Sequence, residues 1–179
     1  AARRFLTAHA ILLSLQGMPG IYFHSLFGSR GDRAGAETSG IPRRINREKL
    51  DRAVLEASLA DSASLRSRVV RGLVDLLRVR RNHAAFAPTA PQRVLDFEPG
   101  VFGVLRAGVE NRNPVLCMHN VATQTSVVRV EVAVGNGNFE LPPHATRWLE
   151  SRAGKWIQIA SVYQDSPYGR TGRSSYTER

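Results

Sequence analysis

The side chains that most often carry chemistry are few in this chain, and most are poorly spaced for it. Cys117 is the only cysteine; it lies in an alternating apolar run with no identifiable base, so it is interpreted as a buried, inert thiol. The histidines are widely separated and lack metal-ligand spacing, so the sequence predicts no metal site and no cofactor. Asp32 and Glu37 are not placed like a catalytic pair and are interpreted as surface carboxylates.

The stretch 24–50 is the best location for a functional site. It is rich in glycine and follows the aromatic and β-branched run 21–23, which predicts a short buried strand. Long irregular segments inside a compact domain are usually functional or disordered, and parallel α/β folds build sites where strands end. Residues 28–32 do not form a phosphate-binding loop, because the Lys-Ser/Thr pair and a following apolar helix are missing.

Two helices must position this stretch. Residues 2–16 form a mostly apolar helix that ends at the Gly17-Met18-Pro19-Gly20 turn and should pack against a large partner. Residues 64–83 form an amphipathic helix whose arginines, Arg80 among them in the cationic last turn, are interpreted as a solvated face with favourable end charges.

From residue 91 the hydrophobic period changes from helical to alternating, which predicts a small antiparallel sheet or sandwich. We therefore expect a helical and loop unit at 1–88, an all-β domain at 89–160 and a disordered polar tail at 161–179. The predicted strands are 93–97, 101–106, 114–119, 127–132, 137–141, 145–149 and 155–160.

The charge of the chain does not by itself indicate a nucleic-acid partner. The 179 residues include 25 basic and 15 acidic ones, for a net charge of +10, but 23 of the basic residues are arginines scattered along the sequence. No apolar stretch approaches the length of a membrane span, and no signal peptide is recognised. Together with the single cysteine, these features predict a cytoplasmic protein without a membrane partner.

Several segments resemble family 13 of the glycoside hydrolases, the α-amylase superfamily. Residues 15–24 (LQGMPGIYFH) resemble its penultimate helix and eighth barrel strand. Residues 25–32, Thr38 and the run 43–50 (RRINREKL) are similar to the sucrose phosphorylase subfamily, which includes sucrose 6-phosphate and glucosylglycerate phosphorylases. The helix at 64–83 matches the last barrel helix, and residues 141–149 match the end of the small β domain behind the barrel.

This resemblance implies an α/β fold, namely the C-terminal end of a (β/α)8 TIM barrel followed by a small antiparallel, sandwich-like β domain. Family members are retaining enzymes that use an Asp nucleophile and a Glu acid/base, and the phosphorylases deliver phosphate to the glucosyl-enzyme. Those carboxylates precede the matched region, so we expect this chain to be a C-terminal portion that is inactive alone. Its implied partners are a small-molecule glucoside, inorganic phosphate and the missing N-terminal part of the barrel. Glucosylglycerate is favoured, and sucrose or sucrose 6-phosphate remain open.

The resemblance also implies four substrate-binding residues and no catalytic residue in this chain. Arg43 matches an arginine that reaches the glucosyl subsite and pairs with an early barrel Asp, as a guanidinium fork can. The neighbouring Arg44 would add positive charge near an anionic acceptor. His24, at the mouth of the barrel, would line the acceptor or phosphate region, and Tyr22 belongs to the strand before it.

Two hypotheses from other classes remain open. The chain could be a non-catalytic carbohydrate-binding or interaction module, or a basic nucleic-acid-binding domain. The apolar first helix discriminates among the three, since an autonomous module would expose a large apolar surface and aggregate. A nucleic-acid-binding domain would instead show binding that depends steeply on salt.

Overall fold

The computed structural model describes residues 1–108 and 113–162. Its first half is helical and its second half is a sheet region. The helices are α1 (Ala2–Ser14), α2 (Phe23–Leu26), α3 (Arg33–Ser39), α4 (Arg52–Ala60) and α5 (Leu65–Asn82), with 3-10 helices at Pro42–Asn46 and Ala84–Phe86. The strands are β1 (Gln92–Leu95), β2 (Val101–Arg106), β3 (Val115–Asn120), β4 (Ser126–Val132), β5 (Gly135–Leu141), β6 (Thr146–Arg152) and β7 (Lys155–Val162).

The sheet region is antiparallel throughout its described strands. Five strands form one sheet in the order β1-β2-β3-β6-β7, and β4 pairs with β5 as a separate hairpin. Side chains of β3 alternate between the two faces, as a strand buried on both sides requires. Val115 and Cys117 join a core with the helices, whereas Leu116 and Met118 join a second core with the hairpin. The sheet is thus the middle layer of three.

Helices α1 and α5 pack closely because Gly72 leaves room for Leu6. A Cβ added at Gly72 would lie only 2.6 Å from Cδ1 of Leu6. Both helices present buried leucines to the shared core, Leu13 from α1 and Leu73 from α5. This apolar seam fixes α5 relative to α1 and to the face of the sheet.

Two buried arginines join the end of α1 to its neighbours, Arg106 from the sheet and Arg80 from α5. Arg106 on β2 donates from Nη1 to the Ser14 carbonyl (3.3 Å), and its Nη2 reaches the carbonyls of Ala87 and Ala90 at 3.1 Å each. Arg80 on α5 donates to the carbonyls of Leu13, Leu15 and Gly17. Burial lowers the pKa of both guanidinium groups, and for Arg106 the charge of Arg80 lowers it further.

Most element boundaries agree with the sequence. The helix expected at 64–83 is observed at Leu65–Asn82, and all seven strands lie within a few residues of their predicted positions. The first helix ends at Ser14 rather than 16, because Leu15 is extended. Ser161 and Val162, placed in the tail by the sequence, belong to β7; the rest of the predicted tail, 163–179, lies outside the described residues.

The predicted buried strand at 21–23 is wrong. Residues 19–22 belong to no helix or strand, Tyr22 has an extended backbone, and α2 begins at Phe23. Tyr22 and Phe23 are 53% and 55% exposed. A strand needs a neighbouring strand for its backbone groups, and no described strand lies in residues 1–91 to supply one. The amide of Leu26 instead donates to the Tyr22 carbonyl (3.0 Å), which closes a helical turn.

The stretch 24–50 is also less irregular than predicted. The Asp32 carboxylate accepts from the Gly35 amide (2.8 Å) and caps α3, which ends at Gly40 in the left-handed conformation. Pro42 begins the 3-10 helix that carries Arg43 and Arg44. Helix α4, which the sequence did not predict, follows this stretch.

Candidate functional site

The four residues expected to bind substrate lie on one segment, residues 22–50, called here the substrate loop. The Tyr22 hydroxyl donates to the backbone carbonyl of Asn46 (3.1 Å), which ties the start of the loop to the 3-10 helix carrying Arg43 and Arg44. The rings of Tyr22 and His24 have their centroids 5.4 Å apart. The structure therefore brings Tyr22 together with His24 and links it, through the backbone, to the arginine pair.

The arginine pair has side chains without partners among the described residues. Arg43 is exposed and Arg44 is half-buried, and neither side chain makes a hydrogen bond or ion pair within the described part of the chain. The backbone beneath them is held, because the Asp32 amide donates to the Ile45 carbonyl at 2.7 Å. Two guanidinium groups on a turn whose backbone is held in place are suited to binding carboxylate or phosphate groups.

Helix α5 anchors the substrate loop through Arg66. Its Nη1 donates to the Ser29 hydroxyl (3.0 Å) and the Phe27 carbonyl (3.3 Å), and its Nη2 faces both Glu48 carboxylate oxygens at 3.2 and 3.3 Å. The Ser29 hydroxyl in turn lies 3.3 Å from Nδ1 of His24. One guanidinium group thus connects both ends of the loop to the helix.

This anchor is not evident from the sequence pattern. Arg66 was interpreted as part of a solvated face, but only 20% of its side chain is exposed, whereas Arg68, Arg71, Arg78 and Arg81 are exposed as expected. Arg80, from the cationic last turn, is buried against α1 instead of facing solvent. Periodicity identifies which face of a helix is polar, but it cannot tell which polar residues are covered by a distant loop.

Neither the cysteine nor a cluster of metal-ligating side chains provides a second site in the described regions. Burial raises the pKa of the fully buried Cys117 thiol well above its usual range, which keeps it neutral and unreactive. No cluster of three or more metal-ligating side chains is found among residues 1–108 and 113–162. Within the same residues, no helix combines the length and apolarity needed to cross a membrane.

Three curated proteins that are similar to this chain are glucosylglycerate phosphorylases. No protein family model matches the chain. It is 46% identical over 150 residues to glucosylglycerate phosphorylase of Allomeiothermus silvanus, and 41% identical over 153 residues to that of Spirochaeta thermophila. It is 32% identical over 157 residues to glucosylglycerate phosphorylase of Escherichia coli.

The chain is homologous to glucosylglycerate phosphorylases. These matches cover 82–86% of the chain but only 25–28% of the relatives, so the chain spans about a quarter of their length. The predicted resemblance to glucosylglycerate phosphorylases is thereby confirmed, over a region that corresponds to about a quarter of such an enzyme.

A solved structure supports the fold. Cyclic α-maltosyl-(1→6)-maltose hydrolase from Arthrobacter globiformis, in ligand-free form, matches with a TM-score of 0.62 at 16% identity, covering 87% of this chain and 30% of that one. At this identity the likeness shows the fold alone. It agrees with the predicted class, in which helices are followed by a small antiparallel β domain.

Proposed function

We propose that the chain is the C-terminal portion of a retaining α-glucoside phosphorylase that transfers glucosyl from glucosylglycerate to inorganic phosphate. The observation that carries this proposal is the 46% identity, over 82% of the chain, to a glucosylglycerate phosphorylase. The single buried cysteine favours a reducing compartment, and we place the enzyme in the cytoplasm.

In this proposal the substrate loop supplies binding groups rather than reacting groups. Arg43 holds a carboxylate of the preceding barrel and orients glucosyl hydroxyls with its guanidinium fork. Arg44 attracts an anionic group, either the glycerate carboxylate or the incoming phosphate. His24 and Tyr22 line the acceptor side of the same pocket. The absence of protein partners for the two arginine side chains in the described residues supports these roles.

The nucleophile and acid/base carboxylates are proposed to come from the portion of the relatives that this chain does not match. Residues 1–88 would complete their barrel, and residues 21–23 would become a paired strand once a neighbouring strand is present. Residues 89–160 would form the β domain behind it. The chain alone therefore lacks turnover.

A chimera tests this proposal. The matching segment of the Allomeiothermus silvanus enzyme is replaced by this chain, and glucose 1-phosphate formation is measured with glucosylglycerate, sucrose or sucrose 6-phosphate and phosphate. We expect turnover with glucosylglycerate above the other two, and none from the 179-residue chain alone. A folded chimera, verified by circular dichroism, that phosphorolyses none of the three glucosides contradicts the proposal, as does turnover by the isolated chain.

The structure weighs against the alternative of a carbohydrate-binding module in the β region. Sugar sites are commonly lined by accessible aromatic rings. In the described part of the β region no aromatic side chain is exposed: Trp148 is fully buried, and the others are at least partly covered. Among residues 1–108 and 113–162, the exposed aromatic side chains are Tyr22 and Phe23, at the start of the substrate loop.

A further inference from the structure

The contacts of Arg66 use the forked shape of its guanidinium group. One guanidinium nitrogen donates to Phe27 and Ser29, near the start of the substrate loop. The other faces the carboxylate of Glu48, near the end of the loop. In this ion pair, 20% of the Arg66 side chain and 34% of the Glu48 side chain are exposed to solvent. A lysine could not make both sets of contacts at once, because its ammonium group is a single point rather than a fork.

The turn beside this contact is shaped to lie against α5. Gly28 has a φ of +58°, and a Cβ there would lie 3.1 Å from a methyl group of Val69 on the helix. The Ser29 amide donates to the His24 carbonyl (2.9 Å), and the Ser29 hydroxyl bridges the His24 ring and Arg66. The position of His24 is therefore coupled to Arg66 through one side chain.

Although the loop is rich in cations, one of its carboxylates meets the cation on α5. Residues 24–50 contain five arginines and one lysine against the carboxylates of Asp32, Glu37 and Glu48. Asp32 caps α3, and Glu48 is the carboxylate that faces the helix. The Arg66–Glu48 pair thereby closes a loop of about twenty residues, whose closure otherwise costs entropy.

We propose that Arg66 is a positioning residue of the enzyme: by joining the two ends of the substrate loop it sets where His24, Arg43 and Arg44 stand relative to the substrate. This inference rests on the proposed function, since it assumes that these residues meet the substrate. Arg66 itself acts through the loop and does not touch the reacting groups.

The activity test uses the chimera with Arg66→Gln, Arg66→Lys and Glu48→Gln, and Arg78→Gln as the matched control. Arg78 lies on the same helix but pairs only with the exposed Asp75 (3.2 Å). We expect Arg66→Gln to lower kcat/KM by tenfold or more, mainly through KM. Glu48→Gln and Arg66→Lys should each lose less, and Arg78→Gln should match the parent. The melting temperature should fall no more for Arg66→Gln than for the control.

A second measurement on the 179-residue chain is independent of activity. Trypsin cleavage after Arg33, Arg43 and Arg47 is followed by mass spectrometry, and Arg66→Gln should speed these cleavages at least fivefold over Arg78→Gln. If Arg66→Gln changes neither the rate of loop cleavage nor kcat/KM, the proposal is overturned. It is also overturned if Arg66→Gln lowers the melting temperature and speeds cleavage evenly over the whole chain. If the parent chimera is inactive, the proposed function fails, while the cleavage rates still decide whether Arg66 holds the loop.

Discussion

His119 is a buried histidine whose environment should make stability depend on pH. Its ring is fully buried in β3, with Nδ1 3.0 Å from the Thr146 hydroxyl and no hydrogen-bond partner at Nε2 in the described structure. Burial lowers the pKa of His119 from its usual 6.5 to about 3. The folded protein therefore keeps this ring neutral at a pH where the unfolded chain is protonated.

The sign of the pH effect follows from this depressed pKa. Below about pH 6.5 the unfolded chain binds a proton that the folded chain does not, so the stability contributed by the neutral ring declines as pH falls toward 3. At pH 5 the loss amounts to about 2 kcal/mol relative to pH 7.5. We expect His119→Gln to reduce the difference in unfolding free energy between these pH values by that amount, as measured by urea denaturation.

The control for this experiment is His144→Asn. His144 is partly exposed and has a φ of +53°, which asparagine tolerates. Its substitution should leave the pH dependence unchanged. An identical slope in His119→Gln and the parent would show that the buried ring does not govern this dependence.

At the scale of elements, hydrophobic spacing and turn residues predicted the strands that depend on residues close together in the sequence. Strands β2 to β6 were found because alternation and turn residues such as Pro99 and Gly100 act over a few positions. The strand predicted at 21–23 is not observed, because strand pairing depends on a neighbouring strand that is distant in sequence. The Arg66 anchor was missed for the same reason, since its carboxylate lies 18 positions away, outside the reach of helical spacing.

The contact between α1 and α5 gives a prediction at this scale. Alanine at position 72 gains about 1 kcal/mol of helix propensity, but its Cβ would lie 2.6 Å from Leu6, and overpacking of a core costs about 1–3 kcal/mol. We expect Gly72→Ala to lower the free energy of unfolding by about 1 kcal/mol. In the background of Leu6→Ala the same change should stabilise the protein, and thermal melts of the parent and the three variants measure this reversal. Equal effects in both backgrounds would exclude the steric explanation.

At the scale of the whole molecule, exposed apolar side chains are concentrated near the substrate loop. Six of the eleven large hydrophobic residues that are exposed in the described structure fall within residues 12–45, which include Met18 at 85% exposure. Many exposed large hydrophobic side chains within one stretch of chain indicate a surface that another part of a protein covers. We propose that the preceding barrel is that part.

This proposal predicts a difference between the isolated chain and the chimera. The isolated chain should bind the dye 8-anilinonaphthalene-1-sulfonate and self-associate, because its apolar surface is uncovered. The chimera should bind several-fold less dye per molecule and elute as a defined species in size-exclusion chromatography. A monodisperse isolated chain with no more dye fluorescence than the chimera would contradict it.

The two buried arginines that join α1 to α5 and to the sheet have a consequence for how such a chain can change during evolution. Arg80 and Arg106 donate their hydrogen bonds across this join to main-chain carbonyls, those of Leu13, Ser14, Leu15, Gly17, Ala85, Ala87 and Ala90. The Arg80 guanidinium also lies 5.6 Å from the centre of the Phe86 ring. Every residue type offers the same carbonyl, so side chains along both segments can be replaced without removing an acceptor. An inserted or deleted residue would displace several acceptors at once. The join therefore tolerates amino-acid substitutions in these segments but constrains the number of residues in them.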